Sequence, residues 1–249
     1  MKVHHLNCGI LHAPPGPAAA CHCLLLDLGS RLVLVETGIG LRDIENPLER
    51  IGAEAIAAAG FQFREELSAV RQIKNPARLT DIVLTHADPD HVGGLADFPN
   101  ARVHLSLEEH NHLNHPRYSP AQFQHQPRWV LHPPSNLRWF GLEARPLQLG
   151  SDLDLLLVPL FGHTLGHCGV AIRRAQSWLL HVGDAYYLRA ELDHDPHPVS
   201  QLAAQRADDD RLRRASLSEL RRLAREHADQ IDLLGYHDFS EFPARPAEA

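Results

Sequence analysis

Four residues that can bind a metal ion stand close together in this chain, in the run His86-Ala87-Asp88-Pro89-Asp90-His91. Three more ligand-type residues follow at wide spacing, each in its own short motif, and these are His163, Asp184 and His237. A catalytic metal needs several protein ligands and an open position for water. The pattern therefore predicts a fold in which several strand ends meet at one place, and it points to metal-activated water attacking a polarised carbonyl or phosphoryl group.

The bulk properties of the chain narrow its class. A length of 249 residues suits one large α/β domain, or two fused half-domains that share a core. The net charge of −7 argues against a nucleic-acid surface, which needs basic groups to neutralise phosphates. The first 20 residues do not have the pattern of a signal peptide, and no stretch approaches the ~20 apolar residues of a membrane span. We therefore expect a soluble, cytoplasmic protein that acts on a small molecule and binds neither nucleic acid nor membrane.

The cysteines are not expected to form a metal or redox motif. The four of them, Cys8, Cys21, Cys23 and Cys168, include no Cys-x-x-Cys pair. Alternation along a strand would point Cys21 and Cys23 the same way. A chain of this size needs no disulfide for stability, so buried and reduced thiols are expected.

Short apolar runs predict strands, and the ligand motifs follow several of them. The predicted strands cover residues 23–28, 31–36, 82–84, 102–105, 153–160, 169–172, 178–181 and 231–236. Gly29-Ser30 between the first two runs indicates a hairpin. Strands precede helices twice along the chain, so the two halves look similar in plan. This order favours a four-layer αββα sandwich, with two sheets between helices, as the α/β (α+β) fold class.

Helices are predicted from composition and from capping patterns. Alanine-rich or amphipathic stretches indicate helices at residues 53–59 and 65–73. Ser106 with Glu109, and Ser216 with Glu219, are spaced as capping boxes that open two further helices. The basic stretch that starts at Arg211 is interleaved with acidic residues, which predicts a solvated helix face.

Residues 110–135 differ in character from the rest of the chain. They are rich in histidine, proline, glutamine and asparagine and show little periodicity. Irregular insertions of this length are usually functional or mobile, so a polar lid over the site is the first interpretation. A plain solvated loop and a second metal site remain open. The domain prediction is a single domain over residues 1–249 that carries this insertion.

The motifs, taken in order, resemble those of the metallo-β-lactamase fold superfamily. The matching segments are Thr85 to Gly94, Gly162-His163-Thr164, Gly183-Asp184 and Tyr236-His237, and Val35-Glu36-Thr37-Gly38 resembles the Asp-Thr-Gly element of that family. The resemblance covers most of residues 20–240. It implies the αββα sandwich and a site for two divalent ions. By position, His86, Asp88 and His163 would hold one ion, Asp90, His91 and His237 the other, and Asp184 would bridge them.

Asp88 departs from the family pattern, which usually has histidine at that position. As a ligand it would add a negative charge and favour harder metals such as manganese or iron. Zinc remains the first choice of metal, although a related subgroup with an acidic residue here is iron-dependent. A role for Asp88 outside the coordination sphere, or as a turn cap before Pro89, stays open.

Within that superfamily the chain looks most like the N-acyl-homoserine lactonases. The signals are Gly-His-Thr-x-Gly-His and Tyr187, which lies three residues past the bridging aspartate; Tyr186 is the neighbouring candidate. This implies a hydrolase in which a bridging hydroxide opens a lactone or cleaves an ester. Tyr187 would donate a hydrogen bond to the carbonyl, and Asp90 would orient the hydroxide and carry a proton.

Two rival functions remain open at this point. The first is a phosphodiesterase or organophosphate hydrolase that uses the same ions. The second is a ligand-binding protein that keeps the metal site but does not turn over. The sequence does not set the oligomeric state, and a homodimer is one arrangement open to it.

Overall fold

The computed structural model describes residues 1–13, 16–150, 153–194 and 196–243. The chain folds into two compact units. Among the described residues, the first contains Met1–His104, Leu113–Val130, Phe242 and Pro243, and the second contains Leu105–His112 and Leu131–Glu241. The prediction of a single domain over residues 1–249 stays a prediction. Within the described ranges, no helix combines the length and the apolar character that crossing a membrane requires.

The first unit is built on a mixed sheet with strand order β4-β1-β2-β3-β5-β6-β7. The strands are β1 (Lys2–Leu11), β2 (Ala19–Asp27), β3 (Leu32–Val35), β4 (Phe61–Gln62), β5 (Leu79–Val83), β6 (Arg102–Ser106) and β7 (Arg128–His132). The predicted hairpin is confirmed, since β2 and β3 pair antiparallel with Asp27 opposite Leu32. β5 is parallel to both β3 and β6, so these three strands end at the same edge of the sheet.

β1 is absent from the predicted strands, and its sequence explains why. The buried positions on this strand include His4 beside Leu6 and Cys8. A histidine on the buried face hides the alternation of apolar and polar residues that indicates a strand. The pairing of β1 with β2 also shifts register between Asn7 and Ile10, which further blurs the pattern.

Five short helices lie in the first unit. They are α1 (Leu41–Glu45), α2 (Pro47–Arg50), α3 (Ala53–Ala59), α4 (Ala69–Gln72) and α5 (Pro89–Val92). The helix predicted at residues 53–59 is confirmed as α3. The one predicted at residues 65–73 is divided at Ser68, with a 3₁₀ turn at Glu65–Leu67 before α4.

The second unit contains a five-stranded sheet, a two-stranded ribbon and three helices. In chain order its elements are α6 (Leu107–Asn111), β8 (Arg138–Trp139), β9 (Leu142–Glu143), β10 (Arg145–Leu147), β11 (Leu155–Pro159), β12 (Cys168–Arg173), β13 (Trp178–His181), α7 (Val199–Arg206), α8 (Asp210–Glu226) and β14 (Ile231–Leu234). The sheet has the order β10-β11-β12-β13-β14. Its pairs are antiparallel except β13 with β14, which are parallel.

The long helix α8 does not begin where the sequence predicts. Its N-cap is Asp209, whose side chain accepts a hydrogen bond from the backbone N–H of Leu212 at 2.9 Å. Ser216 lies inside the helix and donates to the carbonyl of Phe161 at 2.8 Å, so the prediction that Ser216 caps this helix is wrong. A Ser-x-x-Glu spacing fits a helix interior as well as a helix start, and here a stronger cap lies upstream.

One face of α8 is apolar and packs in the core of the second unit. Leu217, Leu220 and Leu223 are buried and pack with β-sheet residues such as Leu156 and Leu180 in one hydrophobic cluster. The basic stretch is not wholly solvated, however. Arg213 is only 2% exposed and its guanidinium lies 2.6 Å from the carboxylate of Asp210.

Candidate metal centre

The four ligand-type residues of the first unit lie beyond the end of β5. Because β3 and β5 are parallel, Glu36 after β3 and His86 after β5 leave the sheet at the same edge. Asp88 stands at the N-cap position of α5, and Asp90 and His91 lie within the single turn of that helix. The side chain of Asp88 makes no capping hydrogen bond, so the interpretation of Asp88 as a turn cap is not supported.

The donor atoms of this set have the spacing of ligands around a small cation. His86 Nε2 lies 3.4 Å from Asp88 Oδ2, and His91 Nε2 lies 3.6 Å from Asp90 Oδ2. The ring centroids of His86 and His91 are 4.0 Å apart. In a tetrahedral site with bonds of about 2.1 Å, neighbouring donor atoms are about 3.4 Å apart. The residues present therefore fit a divalent metal ion.

Glu36 holds His91 in the orientation that a metal ligand needs. Its carboxylate is fully buried and accepts hydrogen bonds from the Thr85 N–H at 2.7 Å and from His91 Nδ1 at 3.1 Å. Since a carboxylate only accepts, Nδ1 carries the proton and Nε2 presents a lone pair. Glu36 adopts φ +63°, a left-handed backbone that is unusual for a residue other than glycine. This strain at a buried residue is consistent with a functional role for the Glu36-Thr37-Gly38 element.

Close packing of glycines fixes the loop that follows His91. A Cβ added at Gly93 would lie 2.1 Å from a carboxylate oxygen of Asp43 and 2.7 Å from the carbonyl of Gly38. Thr37 Oγ1 donates to the carbonyl of His91 at 2.7 Å and accepts from the Gly94 N–H at 3.1 Å. Only glycine allows this approach, so Gly93-Gly94 serves to seat the ligand loop against the end of β3.

The three ligand-type residues of the second unit meet around Asp184. β13 and β14 are parallel, so Asp184 after β13 and His237 after β14 lie at the same edge. Asp184 Oδ2 is 3.2 Å from His237 Nε2 and 3.4 Å from His163 Nε2. All three side chains are buried. One carboxylate oxygen thus faces two imidazole nitrogens at the spacing expected of shared ligands.

Glu109 supports the loop that carries His163. Ser106 Oγ accepts from the Glu109 N–H at 3.1 Å, which is half of the predicted capping box. The Glu109 carboxylate does not complete the box, because it accepts from Thr164 Oγ1 at 2.6 Å and from the Gly166 N–H at 3.2 Å. The capping prediction is therefore confirmed for Ser106, while the side chain of Glu109 orders the His163 loop instead.

His167 holds the backbone of Asp184 in place. Its Nδ1 donates to the carbonyl of Leu160 at 3.0 Å, so its Nε2 accepts from the Asp184 N–H, which lies at 3.1 Å. His167 is the second histidine of the motif Gly-His-Thr-x-Gly-His, and the sequence alone assigns it no role. Its place in this motif is the feature of the sequence that marks it as a candidate functional residue.

Tyr187, and not Tyr186, lies beside the ligands. The ring centroid of Tyr187 is 6.0 Å from that of His163 and 5.5 Å from that of His237. Tyr186 is fully buried and its hydroxyl donates to Glu241 at 2.8 Å. Burial raises the pKa of the Tyr186 phenol, and the neighbouring Glu241 carboxylate adds to this effect. Tyr186 is thus occupied in the core of the second unit.

A guanidinium contacts one of the candidate ligands. Arg117 Nε and Nη2 donate to the two oxygens of Asp88 at 2.5 Å and 2.7 Å. The sequence around the ligands, at residues 85–95, 161–168 and 183–188, carries no lysine or arginine, a pattern that favours a carbonyl substrate over a charged phosphodiester. Arg117 lies 29 residues from Asp88 in the sequence but contacts it in the fold. A cation is therefore present beside the candidate ligands, although none is near them in the sequence.

Among the described residues, the histidines between residues 110 and 132 and the four cysteines lie outside the candidate metal groups. The groups able to hold a metal in the described part of the chain include none of the five histidines between residues 110 and 132, whereas each of the seven predicted ligands belongs to such a group. His112 Nδ1 donates to the Glu108 carbonyl at 2.6 Å. The four cysteines are free and buried, as predicted.

The chain belongs to the metallo-β-lactamase superfamily, because the profile of that family matches residues 16–230. Probable metallo-hydrolases of Mycobacterium tuberculosis and Mycobacterium bovis are each 41% identical to it over 206 residues. The match covers 78% of this chain and 65% of each relative. The chain therefore spans somewhat less than two thirds of the length of these curated relatives.

Solved structures of related fold include two lactone-hydrolysing enzymes. An N-acyl homoserine lactone hydrolase, with the product N-hexanoyl-L-homoserine bound at its catalytic metal centre, is 19% identical with a TM-score of 0.70 and covers 96% of this chain and 94% of its own. The dizinc quorum-quenching lactonase AidC is 20% identical with a TM-score of 0.59, covering 92% and 78%. At this identity the likeness shows the fold, and it confirms the predicted fold class.

Proposed function

We propose that this protein is a metal-dependent hydrolase that opens lactones or cleaves related carboxylic esters. In this proposal the seven candidate ligands hold two divalent ions. His86, Asp88 and His163 bind one ion, Asp90, His91 and His237 bind the other, and Asp184 bridges. The observation that carries the proposal is the placement of Asp184 Oδ2 within 3.4 Å of two imidazole nitrogens, with Tyr187 beside both rings.

The metal ions would be zinc in the first instance, with iron or manganese as alternatives because three of the seven ligands are carboxylates. When bound, such a pair supplies a water nucleophile of lowered pKa and polarises the substrate carbonyl. Asp90 is mostly buried in the ligand loop, where its carboxylate can orient the attacking water, take up a proton and return it to the leaving alkoxide.

Tyr187 is the candidate donor to the substrate carbonyl. Its backbone N–H donates to Glu191 Oε1 at 2.8 Å, which anchors the residue. Its ring borders His163 and His237, so the phenol can donate a hydrogen bond to an oxygen that gains charge next to the ligands. A lactone carbonyl develops one such oxyanion, which suits a single neutral donor.

Phosphodiester or organophosphate hydrolysis is the second candidate, and Arg117 is the observation that favours it. A cation near the ligands would assist a substrate that is already charged. The donors of Arg117 that face the loop are nevertheless engaged by Asp88. For this reason lactones and carboxylic esters remain the first choice.

A substrate panel with metal-reconstituted protein tests this order. We expect measurable opening of acyl-lactones and much weaker cleavage of bis-aryl phosphates. Faster cleavage of phosphodiesters than of every lactone and ester tried would contradict the lactonase proposal. Metal binding without turnover on any of these substrates would instead favour a ligand-binding protein.

A further inference from the structure

Asp88, one of the candidate ligands of the first unit, forms an ion pair with Arg117. Arg117 grips both oxygens of Asp88 with two parallel hydrogen bonds of 2.5 Å and 2.7 Å. Only about 15% of each side chain is exposed, so water screens this pair weakly. Paired N–H donors of this kind fix the plane of a carboxylate as well as its position.

The segment that carries Arg117 is itself fixed to the ligand loop. Gln122 Nε2 donates to the carbonyl of Pro89 at 2.9 Å and to Asp43 Oδ2 at 3.0 Å. Arg50 Nη1 donates to the carbonyl of Ala121 at 2.9 Å, and Arg50 Nε binds Asp43 at 2.6 Å. These bonds tie the backbone directly after Asp88 to the backbone a few residues after Arg117, which helps to place the guanidinium beside the carboxylate.

The geometry leaves Asp88 able to serve as a ligand while it is gripped. Each carboxylate oxygen has two lone pairs, and Arg117 uses one on each. Asp88 Oδ2 still lies 3.4 Å from His86 Nε2, the spacing of two donors to one ion. The guanidinium also offsets the charge that a carboxylate brings to a loop already containing Asp90 and backed by Glu36.

We propose that Arg117 is a positioning residue for the metal site, which fixes the Asp88 carboxylate and balances its charge so that the pair acts as one neutral ligand unit. This rests on the proposed function, in which Asp88 binds a divalent ion. Partners that orient a metal ligand typically contribute 10–100-fold to metal affinity. Removing Arg117 should therefore weaken metal binding through Asp88.

The test measures zinc dissociation constants of the full chain by competition with a chromophoric chelator. Arg117→Met should bind zinc about 10-fold or more weakly, and Arg117→Lys, which keeps the charge but loses the planar fork, should recover part of the loss. Arg128→Met is the matched control, because Arg128 lies in the same segment and donates to the carbonyl of Asn100. It should bind zinc like the unsubstituted protein.

The same substitution is then made together with Asp88→His. A neutral imidazole needs no guanidinium, so Arg117→Met should change affinity by less than about 2-fold in this background. Equal losses in both backgrounds, or an Arg117→Met protein that binds like the unsubstituted one, would overturn the inference. If the Arg117→Met protein does not fold, the Asp88→His, Arg117→Met protein is the decisive one. The inference requires that this double variant fold and bind zinc. A double variant that does not fold or does not bind zinc would overturn the inference. If the unsubstituted protein binds no divalent ion, the proposed function fails instead.

Discussion

The two units supply candidate ligands in different ways. In the first unit four candidate ligands come from the six residues His86 to His91, and side-chain contacts orient two of them, with Glu36 bound to His91 and Arg117 bound to Asp88. In the second unit three ligands come from the ends of separate strands, and their approach depends on the parallel pairing of β13 with β14 and on the loop after β11. The orientation of the first set thus depends mainly on side-chain hydrogen bonds. The approach of the second set depends mainly on the topology of its sheet.

This difference predicts where each set is vulnerable. A local set loses metal affinity when a supporting side chain is changed, although the sheet stays intact. A set assembled from strand ends depends most on the ligand at its centre, because one carboxylate oxygen of Asp184 faces both imidazoles. Substitutions of the ligands and of the residues behind them can therefore distinguish the two kinds of support.

Replacing Asp184 should have the largest effect. Asp184→Asn removes the anionic oxygen that faces His163 and His237, so we expect hydrolysis to fall by at least about 10²–10³-fold, together with a loss of bound metal. Activity and elemental content measure both. Asp232→Asn is the control, because Asp232 is an exposed carboxylate on β14 that pairs with Arg174. An Asp184→Asn protein with full activity would show that the bridging role is wrong.

Changing the residues behind the ligands should sharpen the comparison. Glu36→Gln replaces the carboxylate that orients His91, and we expect metal affinity to fall about 10–100-fold. His167→Gln disturbs hydrogen bonds to the backbone of Asp184 and of Leu160, so the loss of metal affinity should be below about 10-fold. Chelator competition compares the two proteins. A larger loss for His167→Gln would contradict the contrast between side-chain and topological control.

The two neighbouring tyrosines should separate turnover from stability. Tyr187→Phe should lower lactone turnover about 10-fold with unchanged metal content, because a metal ion shares the stabilisation of the oxyanion. Tyr186→Phe removes a buried hydrogen bond to Glu241 and should reduce the free energy of unfolding by about 1.5–3 kcal/mol. Steady-state kinetics and denaturant unfolding distinguish these outcomes. A Tyr186→Phe protein with the greater catalytic defect would reverse the assignment.

The smallest expected effect concerns Asp97, behind the ligand loop of the first unit. Burial raises the pKa of Asp97 from 3.8 to about 6, although the Leu41 N–H donates to its carboxylate. Between these values the folded protein holds a proton that the unfolded chain has lost, so stability should fall as pH rises from about 4 to 6. Asp97→Asn should flatten this part of the profile of unfolding temperature against pH. An unchanged slope would show that Asp97 does not titrate in this window.

Much of the fold, and the set of candidate ligands, could be predicted because their signals are local. The hairpin of β2 and β3, helix α3 and the strands before the ligands follow from apolar runs and turn residues. Glu36 could be predicted as part of a family element, but its bonds to Thr85 and His91 needed the fold.

The features that were missed depend on distant contacts or on ambiguous patterns. Nothing near Asp88 indicates that Arg117 binds it, because the two are joined only by tertiary structure. His4 on the buried face of β1 conceals that strand. Ser216 has the spacing of a cap, but Asp209 lies at the true start of α8.

The most direct test of the account is the transition-metal content of protein purified without chelators, measured by elemental analysis with the chain concentration determined independently. Seven ligand-type residues exceed the needs of one tetrahedral ion. The account predicts close to two transition-metal ions per chain, and a loss of both in Asp184→Asn. A chain that carries no transition metal and takes up none on reconstitution would contradict it.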